Sequence, residues 1–89
     1  MAHAHVTVTR VDWPQPLYAA TFYCDRASHM VPSGFTDSPM QAVQRLVHVL
    51  RDQKSPEWAQ RVLDVEDQVE SHFRRHPEAD DVEFSVQPV

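Results

Sequence analysis

Two stretches of this chain open helices in the same way: Ser38-Pro39-Met40-Gln41 and Ser55-Pro56-Glu57-Trp58. In each, a serine oxygen stands ready for the first free amides, and a proline follows where its missing N–H costs nothing. Gln41 sits three residues after Ser38 and can close a capping box, whereas Ser55 has no such partner and caps more weakly. These two starts divide the sequence into a strand-like front half and a two-helix back half.

Ahead of the first start, His5 to Val11 alternates Val6 and Val8 with Thr7 and Thr9, the period of a half-buried strand. Asp12-Trp13-Pro14-Gln15-Pro16 carries two prolines and reads as a turn. Leu17 to Cys24 then sets Tyr18, Ala20 and Phe22 on one face and supplies a hairpin partner. After the polar Asp25 to Ser28, a short third strand over Ser28 to Val31 stops at Pro32-Ser33-Gly34. Gly34 is the only glycine, so one backbone position with positive φ is expected just before the first helix.

In the first helix, Met40, Val43, Leu46, Val47 and Leu50 share a stripe that Ala42 and Val49 widen to about half the circumference. So wide an arc predicts contact with the sheet on one side and the second helix on the other. That second helix is expected over Pro56 to about Arg75, roughly 30 Å long and stopped by Pro77. Its apolar stripe is Trp58, Val62, Val65, Val69 and Phe73. Asp64, Glu66, Asp67 and Glu70 lie opposite, with Leu63 exposed among them. Glu57 to Arg61 and Glu70 to Arg74 have the favourable order for ion pairs one turn apart. Val82, Phe84 and Val86 alternate with polar residues as a last strand. The expected fold class is α+β: a small antiparallel sheet of three to four strands packed on two helices, in the order β-β-(β)-α-α-β.

A chain of 89 residues with 42% hydrophobic content fits a single domain over residues 1–89, its first four residues forming a frayed terminus. A domain this small gains stability from self-association, which makes a homodimer the default expectation. No run approaches the roughly 20 apolar residues of a membrane span. The start, Met1-Ala2-His3-Ala4-His5, has neither the basic nor the apolar block of a secretory signal. Cys24 is the single cysteine, so no internal disulfide can form. Together these point to the cytoplasm.

Charge is uneven. The front half is nearly balanced, while Glu57, Asp64, Glu66, Asp67, Glu70, Glu78, Asp80, Asp81 and Glu83 face only Arg61, Arg74 and Arg75 in the back half. Nucleic-acid affinity rests on neutralising phosphates, so a net charge of −5 without a basic cluster argues against direct binding of nucleic acid. A basic protein partner suits such a surface better.

Candidates for chemistry each have a plainer explanation. His72 and His76 have the four-residue spacing that can set two imidazoles on one metal, yet a helix C-terminus also favours His and Arg for its dipole. His3 and His5 form a second possible pair, at the terminus. Cys24 with Asp25 and His29 would need the mutual geometry of nucleophile, base and orienter, and this spacing carries no signature of it. A small thiol buried at a strand end is the ordinary alternative. The carboxylates of the second helix point to water by their phase, away from the enclosed cleft that acid–base work needs. Tyr18, Phe22 and Tyr23 suit strand packing, since the basic companions of a base-stacking platform are missing. No catalytic residue, metal site or cofactor is assigned on these grounds.

The stretch Gly34-Phe35-Thr36-Asp37-Ser38-Pro39-Met40-Gln41-Ala42, followed by Leu46, resembles the strand-to-helix junction of HicB-like antitoxin domains. In that family a Gly, a Thr and an N-capping residue precede a helix with an early Ala. The resemblance spans about residues 5 to 52 together with the order of elements after them. It departs from the family at Pro14-Gln15-Pro16, where a glycine-containing turn is usual. It implies a small α+β fold, a dimer or tetramer, and non-catalytic binding of a small basic toxin. The leading expectation is thus a small acidic protein-binding module that regulates or neutralises a basic partner through Leu63, Asp64, Glu66, Asp67 and Glu70, or through a free sheet edge. Two alternatives stand beside it: a stand-alone inhibitor encoded by a mobile element and acting by acidic mimicry of nucleic acid, and a small metal-binding or thiol enzyme using Cys24 and the histidines.

Overall fold

A computed structural model describes residues 4–12, 15–24 and 29–87. Strands β1 (Ala4–Val11), β2 (Leu17–Cys24) and β3 (His29–Pro32) form a meander. Helices α1 (Pro39–Asp52), α2 (Pro56–Leu63) and α3 (Glu66–Arg75) follow, and β4 (Val82–Val86) closes the chain. All pairings are antiparallel, in the sheet order β3-β2-β1-β4. The α+β class and its β-β-β-α-α-β order hold, with the second helical arm divided into α2 and α3. The polar link Asp25 to Ser28, including Ser28 of the expected third strand, lies outside the described residues, as do Trp13 and Pro14 of the expected turn.

Alternation along each strand sends one set of side chains beneath the helices. Val31, Phe22, Val6 and Phe84 stand side by side in register across all four strands, and every one of them is buried. Leu46, Val43 and Leu50 of α1 close over this row, joined by Val62 of α2 and Val69 and Phe73 of α3. The opposite face, with His5, Thr7, Thr9, Thr21 and Tyr23, bears no helix among the described residues. β1 begins at Ala4 rather than His5: Ala4 is buried and paired with both Cys24 and Val86, so it is not part of the frayed terminus expected over residues 1–4, whose first three residues lie outside the described residues.

The junction into α1 is built by short polar side chains. From the Thr21–Pro32 pair to the Tyr18–Thr36 pair, β2 advances three residues while its partner advances four, so one extra residue is accommodated. Gly34 takes it up at φ 82°, as its position in the sequence predicts. The buried Ser33 hydroxyl accepts the Ala20 N–H at 2.9 Å, filling a rung of the ladder that a carbonyl would otherwise fill. Ser38 then caps α1, its Oγ accepting the Gln41 N–H at 3.1 Å. Ser55 makes no side-chain cap, in keeping with its missing partner.

The second arm departs from the single straight helix expected. At Asp64 and Val65 the backbone tightens: Val65 donates to the Val62 carbonyl, a three-residue turn, and sits at φ −95°, ψ 1°. The Gln60 side chain donates to Asp64 Oδ1 at 3.0 Å, holding this joint from outside. Val62, Val65 and Val69 are all buried across the joint. Leu63, the last residue of α2, lies one turn after the buried Ala59 and is half-buried and packed against the core instead of standing exposed.

Arg10 anchors the return to β4. Its side chain, 17% exposed, donates to Asp12 Oδ1 at 2.8 Å and to the Pro77 carbonyl at 3.0 Å, and its backbone N–H donates to Asp80 Oδ1 at 2.9 Å. No helix among the described residues is long and apolar enough to cross a membrane.

Candidate functional site

The acidic arm is the surface to which the sequence directs attention. Asp64, Asp67 and Glu70 are exposed, while Glu66, in the first turn of α3, is half-buried. Asp64 is held by Gln60 and lies 3.9 Å from Arg61. Arg61 thus faces Asp64 and not the Glu57 expected one turn before it. Glu70 pairs with Arg74 as its spacing predicts. Asp67 and Glu66 make no ion pair among the described residues and favour the positive end of the α3 dipole. Further along, Glu78, Asp80, Asp81 and Glu83 are exposed without a basic residue between them. Leu63 contributes at most a half-covered apolar edge to this surface.

The other feature was only partly legible. His72, Arg75 and His76, at the end of α3, border two adjoining open depressions of about 470 and 610 Å³. The first runs between one side of α3 and Phe84 of β4, with Asp67, Gln68 and Ser71 along its wall. The imidazoles of His72 and His76 lie 5.0 Å apart between ring centroids, and His72 also meets Phe84 edge to face at 5.8 Å. Among the described residues no three metal-ligating side chains come together. The histidine spacing was visible in the sequence. That β4 would return beside them and make a groove was not.

The remaining candidates are dispersed. Cys24 is buried in the core, and the strand register sets it opposite His29; Asp25, the remaining member of that set, lies outside the described residues. His5 stacks on Tyr23 with centroids 4.9 Å apart on the open face and approaches Glu83 at 3.8 Å. His3 lies outside the described residues. Tyr18 and Phe22 pack on the helix side, against Phe73 and Trp58 respectively. No buried side-chain polar atom among the described residues lacks a hydrogen-bond partner, so none is left aimed at a missing ligand. Compared with protein families, characterised proteins and solved structures, the chain shows no match.

Proposed function

We propose that this protein is a non-catalytic binding module whose acidic second arm engages a basic partner protein, in the manner of the HicB-like antitoxins that its junction resembles. The observation that carries this reading is the outward placement of Asp64, Asp67 and Glu70, with Glu66 and Leu63 beside them, on an arm whose apolar side is committed to the core. Exposed carboxylates steer and select a basic partner over long range while costing little desolvation. Among the described residues, Cys24 is buried beneath the helices while the His72–His76 pair sits at the end of α3, so these candidates are not gathered at one place.

The test is capture from lysate of the native organism by the wild-type chain and by an Asp64→Lys/Glu70→Lys variant. A small basic protein, encoded by an adjacent reading frame, is expected with the wild type and lost with the variant. Equal recovery of the same protein by both removes the arm as the binding surface. DNA that competes for the captured protein would instead favour acidic mimicry of nucleic acid.

A further inference from the structure

Strand β4 forms one rim of the sheet, and among the described residues nothing pairs with its outer edge. The opposite rim, β3, is four residues long and ends in Pro32, which has no N–H to offer. β4 contains no proline, and an unpaired edge with its donors intact is a template for another strand. Phe84 of this strand borders the groove of about 470 Å³ whose other wall is one side of α3.

The wall of that groove is its own complement. Asp67, Ser71 and Arg75 recur every four residues and share one stripe of α3. A second α3 laid antiparallel across a twofold axis at Ser71 sets Asp67 of each copy against Arg75 of the other, with the small serines where the helices come closest. Neither Asp67 nor Arg75 makes an ion pair among the described residues, whereas their neighbours Glu70 and Arg74 are joined to each other. β4 has the same symmetry. Paired antiparallel with itself about Phe84, it sets Glu83 opposite Ser85 and Val82 opposite Val86, so no like charges meet. Ser71 and Phe84 line the same groove, so the midpoints of the two self-complementary patterns lie on one side of the molecule.

We propose that the protein forms an isologous homodimer in which β4 pairs with β4 of a second copy and the Asp67–Ser71–Arg75 stripe packs antiparallel on its counterpart. A second copy is the occupant because symmetry supplies the reversed charge order that any other partner would have to match. The proposal shares Asp67 with the acidic-arm reading, but Asp64 and Glu70 do not line the groove, so the Asp64→Lys/Glu70→Lys variant tests that reading and Arg75→Asp and Ser85→Glu test this one.

Sedimentation equilibrium of the purified chain tests it. The wild type is expected at twice its 10.3 kDa chain mass. Arg75→Asp, which sets two carboxylates together, is expected to weaken the dimer by about tenfold or more, and adding Asp67→Arg restores it to within about threefold. Ser85→Glu, facing Glu83 across the axis, weakens it by a similar factor and reports on the strand half. All three positions are exposed, so circular dichroism is expected to be unchanged. A monomer up to the highest soluble concentration overturns the proposal. So does a dimer that Arg75→Asp and Ser85→Glu leave intact, or one that the charge exchange fails to restore.

Discussion

Lys54 adopts the left-handed conformation at φ 60°, just past the end of α1, where glycine is the usual occupant. Two hydrogen bonds hold it there: its N–H reaches the Arg51 carbonyl and the Ser55 N–H reaches the Leu50 carbonyl, closing the helix end. Lys54→Gly is therefore expected to raise stability by about 0.5–1 kcal/mol, read as a higher urea midpoint at constant slope. Gly34 predicts the opposite sign. A methyl group there meets nothing within 4 Å, so Gly34→Ala costs only the conformational penalty of φ 82°, about 1–2 kcal/mol. Ser33→Ala leaves the Ala20 N–H without its acceptor and costs about 1–3 kcal/mol in the same assay. Gly34 was readable because it is the chain's single glycine before a capped helix. Lys54 was not, since the bonds that hold it form only once the helix end is in place.

Among the elements, strands and α1 were legible because each has one buried face and one solvated face, and the period of its apolar residues records which. Leu17–Cys24 and Val82–Val86 fall where alternation puts them. The arc of α1 did predict contact on two sides, and Leu46→Ala, at a site with no exposure, should cost about 2–5 kcal/mol in thermal or denaturant unfolding. The break at Asp64–Val65 was hidden, because neither glycine nor proline marks it and a continuous helix would place Val62, Val65, Val69 and Phe73 on almost the same side. Leu63 was misplaced for another reason: it borders the apolar stripe, one turn after Ala59, which is itself buried and widens that stripe. Arg10 was likewise unremarkable in sequence, yet it ties the 77–80 segment to the end of β1 through the Pro77 carbonyl and Asp80, while Asp12 holds its guanidinium in place. Arg10→Met should speed amide hydrogen exchange in 78–86 while leaving α1 protected; uniform acceleration throughout would instead mean global destabilisation.

For the whole molecule, a sheet covered on one face leaves its open face, its rims and the outer side of its helices to meet partners. The charge asymmetry was plain in the sequence, and it indicates which part of the surface meets a partner better than which atoms do so. Three of the carboxylates expected there are exposed, and the fourth, Glu66, is half-covered, which follows from its place beside Val65 and Val69 on the turn facing the core. The groove beside β4 arises from two elements distant in sequence and had no local signature. If the arm steers a basic partner, the association rate should fall as salt rises, because exposed charges are screened over about 8–10 Å at 0.1–0.15 M ionic strength. The dissociation constant of the complex with the captured partner, measured for wild type and for Asp64→Lys/Glu70→Lys, probes this most directly. The account predicts affinity about tenfold or more weaker in the variant, with a flattened salt dependence. An unchanged constant and salt slope would contradict it.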